Sequence, residues 1–394
     1  MKTNWFTNPF YLYIFSFVLI FFIYNLKWSN AYPDLSVSVG LFLSFTFLIS
    51  LFLGRMIRNT NIFTLKKIDF DAKNKYVLLF VSVAYAIEFI DNRGIPFVLL
   101  FTHGGSYGDF EGIPVFHVFL ASFTIYYTIY IFHQFLSNRN KKLLYYFFYF
   151  LFFQLLVVSR GTIFFILLAC LFLYLFNILV IKLKTLLYLL LFVLGVFYLF
   201  GVLGNLRSVN SRENEEMILD ITGADDTFKS SNIPKEFYWS YLYLASPLGN
   251  LQSVVNSAHS QKEVDIDSFN RFVVNCVFPD FLGKRLSKLQ ANETDNLSDY
   301  FVFEIINAPT VYSLPFKYLG WLGPFLMFFF MTFNIFLFMI IKNSIYFHSG
   351  FAILLSMIFF QVFNNFWIYS GISIDLIYPF VLSILHNLLL RKQT

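Results

Sequence analysis

Apolar residues in this chain come in long runs, without the two-residue alternation of strands or the single apolar stripe of soluble helices. A bilayer core needs about 20 apolar residues per crossing helix. Ten stretches approach or meet that length, at 10–26, 35–53, 76–92, 114–135, 143–159, 161–181, 185–205, 318–341, 349–367 and 371–390. The pattern predicts an all-α polytopic membrane protein of about ten transmembrane helices.

Polar residues concentrate between the seventh and eighth stretches, which divides the chain into helices 1–7 (1–205), a large loop (206–314) and helices 8–10 (315–394). A loop of that length is more than a connection. Within it "KEFYWSYLYLASPLGNLQSVV", 235–255, reads as an amphipathic helix lying on or dipping into the membrane surface. A second irregular region, near 93–113, carries Gly-Ile-Pro twice, at Gly94–Pro96 and Gly112–Pro114, and predicts a re-entrant or surface-lying segment.

Composition agrees: of 394 residues 58% are hydrophobic and 13% charged, with a mean hydropathy of +0.66, far from a soluble domain. The 57 phenylalanines and 25 tyrosines read as helix-surface coating. The net charge of +5 suggests a nucleic-acid partner only until the charges are placed. The loop after the second stretch holds Arg55, Arg58, Lys66, Lys67, Lys73 and Lys75, which marks it as cytoplasmic. Alternation then puts Arg139, Lys141 and Lys142, Lys182 and Lys184, Lys342, and both termini on that same side. The large loop falls outside, with nine basic and 15 acidic residues and a net charge of −6. Such acidity argues against a nucleic-acid or anionic-lipid surface there. Cys170 and Cys276 show neither disulfide nor metal-ligand spacing. The first apolar stretch reads as an anchor rather than a cleaved signal.

Charges within or at the edges of apolar stretches are costly, and there are few: Glu88, Asp91, Arg93, Arg160, Arg207 and Asp375. Arg160 interrupts "LLVVSRGTIFFILL" at a tight turn that Gly161 permits. Arg207 ends the seventh stretch, with Arg212 close behind. Two arginines at one depth on the outer side suit a lipid pyrophosphate, since a guanidinium grips phosphate oxygens in pairs and stays charged. The bland alternative for Arg160 is snorkelling to the headgroups. Glu88 and Asp91, one turn apart, join that cluster or form a structural ion pair. His103, Asp109, Glu111 and His117 flank the Gly-Ile-Pro turns, and His117 is a candidate acid or base. Asp265 and Asp267, in "VDIDSF", form a D-x-D without the alternating strands and helices of a nucleotide-sugar site, and read as solvated loop. "NET" at 292 and "NLS" at 296 match glycosylation acceptors by chance.

The combination of about ten spans, "IEFIDNRGIPFVLL" and "YGDFEGIPVFH" in an outer segment, "SRGT" at a hairpin, "FGVLGNLRS" before a large loop and "YLYLASPLGNL" within it resembles the Wzy-type O-antigen polymerases, the oligosaccharide repeat unit polymerases. The likeness covers most of 76–260. It implies a GT-C-like glycosyltransferase of the bacterial inner membrane with a periplasmic active site. Such an enzyme moves a growing glycan from undecaprenyl pyrophosphate to the non-reducing end of another lipid-linked repeat unit, without nucleotide sugar or required metal. A chain-length regulator is an implied partner. On that reading Arg160 and Arg207 stabilise the leaving pyrophosphate, with Arg212 and Arg271 in support. Glu88, His117, Asp109 and Glu111 orient or deprotonate the acceptor, and Trp239, Tyr241 and Tyr243 stack on sugars. Two alternatives stand. One is the sibling O-antigen ligase, favoured by His259. The other is a flippase or transporter, disfavoured by the absence of repeated halves.

Overall fold

The computed structural model describes residues 4–102, 112–178, 180–208, 214–257, 265–287 and 297–391. These residues fold into helices, with no β-strand among them; an isolated antiparallel bridge pairs Ser29 with Ala224. In chain order the main helices are α1 (Pro9–Tyr24), α2 (Val37–Ile57), α3 (Asn74–Asp91), α4 (Pro96–Thr102), α5 (Phe116–Asn138), α6 (Lys141–Leu156), α7 (Arg160–Asn177) and α8 (Leu183–Ser208). After these come α9 (Asn214–Ile221), α10 (Phe237–Ser257), α11 (Ile266–Phe272), α12 (Asp280–Ser287), α13 (Ser313–Leu319), α14 (Leu322–Met339), α15 (Phe347–Phe360) and α16 (Ile377–Arg391).

Helices stand at all ten expected positions. Among the described residues six are long and apolar enough to cross a bilayer: α2, α5, α7, α8, α14 and the segment Ser370–Leu388. Two more, α1 and α15, are apolar but shorter. The chain is a polytopic membrane protein, all-helical among its described residues.

Local chemistry explains where these helices start. Asn8 caps α1 by accepting from the Phe10 N–H at 3.1 Å, Pro9 supplies a first residue with its φ preset, and the Asn8 amide also donates to Gly54 O at 2.9 Å. Ser36 caps α2 and Asn140 caps α6 in the same way. Arg139, at φ 56°, closes α5 in the left-handed conformation and turns the chain tightly into α6.

The interior is organised around α1, α10 and α15. Every residue from Phe347 to Ile358 of α15 is buried, beneath α1, α5, α7 and α14. By contrast α8 sits at the periphery: only 6% of its apolar window is buried. It touches the body chiefly through α10, and glycine permits the crossing, since a Cβ on Gly201 would lie 1.9 Å from Glu236 O.

Helix α10 forms where an amphipathic surface helix is expected, but it is enclosed on nearly all sides. Its polar residues, which imitate a wet face in sequence, bond to distant protein groups. Asn250 donates to Ile306 O and Ala308 O and accepts from Val302 N, while Gln252 accepts from Ser36 N at 2.7 Å. Pro247 removes an N–H from the helix, and the Ser246 hydroxyl donates to the Tyr243 carbonyl at 3.3 Å in its place. The part of the large loop that carries α10 is thus built into the body of the protein.

Candidate functional site

The most distinctive polar arrangement joins the end of α3 to the start of α5. Glu88 is 0% exposed, and its carboxylate accepts from Nδ1–H of His117 at 2.9 Å (Oε2) and 3.2 Å (Oε1). The His117 side chain is 24% exposed. A buried carboxylate is costly unless it is hydrogen-bonded, and this contact supplies hydrogen bonds to it. With Nδ1 turned to the carboxylate, Nε2 is the ring nitrogen on the side away from Glu88.

The turn before α5 is shaped around that ring. Gly112 has φ +62°, and a Cβ there would lie 2.6 Å from His117 Cγ, so glycine is required for both conformation and space. Val115, which precedes α5, has φ 70°. A β-branched residue there is an outlier costing about 1–3 kcal/mol. Such strain persists only where the surroundings hold it, here within two residues of His117. The first Gly-Ile-Pro also turns with positive φ, at Arg93 (55°), and leads into the short helix α4, which packs on α6.

Arg160 opens α7 after a three-residue turn from α6. Val158 in that turn has φ 62°, a second strained valine two residues from a candidate site residue. Ser159 and Thr162 hydroxyls lie 2.5 Å apart and brace the turn. The expected hairpin is present, and the Arg160 side chain is exposed.

Arg207 stands in the last turn of α8. Just before it, Asn205 Oδ1 accepts from the Trp239 indole at 2.5 Å, and Gly204 leaves room for the indole ring. Trp239 therefore anchors the helix end that carries Arg207; it is 8% exposed and spends its ring on protein. Tyr241, 2% exposed, packs among Trp28, Tyr32 and Tyr238. Neither ring is presented for sugar stacking, because α10 is enclosed. Tyr243 is half-buried, edge-on to Phe200 at 5.1 Å. Arg271 pairs with Asp267 one turn earlier at 3.0 Å on the exposed side of α11. Asp109, Glu111, Arg212, His103 and His259 lie outside the described residues. The structure brings Glu88 and His117 together; Arg160 and Arg207 stand on helices with different main neighbours, α5, α6 and α15 for one, α10 for the other.

Two residues gain interest from the fold alone. Phe281 of α12 meets Phe119 of α5 at 6.0 Å, which lays α12 beside the His117 end of that helix and brings exposed Arg285 to the same region. Asp375 sits where the last apolar segment breaks into a 3₁₀ turn, Ile374–Leu376; it is 0% exposed and neither carboxyl oxygen has a partner among the described residues. Sequence marks Asp375 as costly but offers no role, and Arg285 is one basic residue among many.

Comparison of the chain with protein-family models, with curated proteins and with solved structures finds no match.

Proposed function

We propose that this chain is an O-antigen polymerase of the Wzy type, with ten spans in a GT-C-like arrangement and a site facing the periplasm of a bacterial inner membrane. The observation that carries the reading is the Glu88–His117 pair, a buried carboxylate orienting a partly exposed imidazole at the end of the helix bundle. Carboxylate, oriented histidine and hydroxyl form the arrangement that lets a ring nitrogen take a proton from an attacking oxygen. The end of the bundle where α3 stops and α5 begins is also where the α6–α7 turn brings Arg160, on the side opposite the basic loops.

The reaction follows from those groups. An acceptor sugar hydroxyl attacks the anomeric carbon of a glycan held on undecaprenyl pyrophosphate. Its oxygen bonds to that carbon, the carbon–oxygen bond to the pyrophosphate breaks, and the electron pair departs on the pyrophosphate. His117 Nε2 takes the hydroxyl proton. Arg160 and Arg207, with Arg212 and Arg271 as further cations, stabilise the charge on the leaving group. The substrates are two lipid-linked repeat units, and a separate chain-length regulator is the expected protein partner.

Deleting the gene tests this reading. The expected phenotype is surface lipopolysaccharide capped by a single repeat unit, restored to a long ladder by the wild-type gene but not by His117→Ala at equal protein level. Loss of all O-antigen on deletion refutes polymerisation and points to ligation or lipid translocation. A translocation reading draws separate support from Asp375, an acid without a partner among the described residues in an interrupted membrane helix, a feature of transporter ion sites. Under it, Asp375→Asn abolishes surface polymer whereas His117→Ala leaves the ladder intact.

A further inference from the structure

At the other end of the bundle, a groove of about 600 Å³ opens between the segment after α2 and the turn joining α14 to α15. Asn59, Thr60, Thr64, Lys66, Lys342 and Asn343 line it, with Ile62 and His348. None of these is acidic.

Two buried histidines hold the groove's shape by gripping one residue. The Lys66 N–H donates to His348 Nδ1 at 3.3 Å, and the His348 Nε2–H donates to Ile62 O at 3.2 Å. On the other side His133 Nε2–H donates to Lys66 O at 2.8 Å, while its Nδ1 hydrogen-bonds with the Ser349 hydroxyl at 2.9 Å. His348 accepts at one nitrogen and donates at the other, so its ring is neutral. The Lys66 backbone is fixed at both its N–H and its carbonyl, and its ammonium reaches across the groove to Asn343 O. Lys342 faces the same space, exposed, without an ion pair or side-chain hydrogen bond among the described residues. The groove thus presents two cations, with amide and hydroxyl groups, and no carboxylate to balance them. Asp69 and Asp71 lie further along the same segment and do not line it.

We propose that this groove binds a phosphate group, either the phosphodiester of an anionic phospholipid or free phosphate. Ammonium, amide and hydroxyl donors match phosphate oxygens, and basic pockets between helices at the cytoplasmic interface suit anionic headgroups. The proposal rests on the orientation given above only for which leaflet supplies the lipid; the binding test does not depend on it or on the polymerase reading.

The test uses the purified full-length protein in detergent with added phosphatidylglycerol, phosphatidylcholine or inorganic phosphate, read by native mass spectrometry. Phosphatidylglycerol retention is expected to exceed that of phosphatidylcholine, and to fall about fivefold for each of Lys66→Gln and Lys342→Gln, the worth of one basic residue at an anionic headgroup. Lys342→Arg retains binding. The double variant Lys141→Gln/Lys142→Gln, on a neighbouring basic turn, leaves retention unchanged. Phosphatidylglycerol that excess inorganic phosphate fails to displace identifies a lipid as the ligand; lysine-dependent phosphate binding without lipid preference identifies free phosphate. Equal binding of both probes by wild type and the Lys66→Gln/Lys342→Gln variant overturns the proposal, as does an equal loss in the Lys141→Gln/Lys142→Gln control. Should Lys66→Gln lower the thermal midpoint, Lys342→Gln alone, an exposed side chain, decides the matter.

Discussion

If Glu88 acts through His117, removing both residues costs little more than removing the histidine. The geometry sets the sizes. A charge-assisted hydrogen bond of 2.9 Å to a fully buried carboxylate is worth about 1.5–3 kcal/mol, which converts to a rate factor of about 10 to 150. Losing a general base costs about 10²–10⁴-fold. His117→Ala is therefore expected to lower polymerisation by about 10²–10⁴-fold and Glu88→Ala by about 10- to 150-fold. Glu88→Gln, which keeps an acceptor oxygen but no charge, falls between wild type and Glu88→Ala. The double variant should match His117→Ala alone, as residues acting as a unit do. The assay is the initial rate of chain lengthening by purified protein from lipid-linked repeat units, at matched thermal midpoints. Multiplication of the two single losses in the double variant, about 10³–10⁶-fold, means independent roles and refutes the dyad.

Gly112→Ala meets both a left-handed backbone, about 1–2 kcal/mol, and the His117 ring, so it lowers activity together with the thermal midpoint. Val158→Gly relieves the turn beside Arg160 and is expected to stabilise the protein by about 1 kcal/mol; a lower midpoint in detergent unfolding contradicts the strain assigned there. Gly201→Ala forces a Cβ onto the Glu236 carbonyl and costs about 1–3 kcal/mol, separating α8 from α10, read as faster proteolysis after α8. Arg160→Lys, which keeps charge but loses the two-pronged fork, should recover little of the chain lengthening lost in Arg160→Ala; an unchanged ladder in both variants removes Arg160 from the leaving-group role.

Much of the helical layout is legible in the sequence because a membrane helix is specified by the length of its apolar run, a local property. Its partners are not local. Glu88 and His117 are each visible as costly or reactive residues, but their pairing closes across the Gly-Ile-Pro segment and depends on the turn at Gly112. Helix α10 shows the converse. Asn250 and Gln252 read as a solvated face because their acceptors and donors, at Ser36, Val302, Ile306 and Ala308, lie far away along the chain. The strained valines carry no sequence signal, since valine is among the residues least suited to positive φ. His133 and His348 are equally silent, as nothing local links two histidines on separate helices to the backbone of Lys66.

Incubating the purified chain with its own lipid-pyrophosphate-linked repeat unit, and no nucleotide sugar or lipid A core, tests the proposed function most directly. The account predicts glycans of two or more units on the lipid carrier, one undecaprenyl pyrophosphate released per linkage formed, and neither product with His117→Ala. Folded wild-type protein that leaves the repeat unit monomeric, or joins it to lipid A core alone when core is supplied, contradicts it.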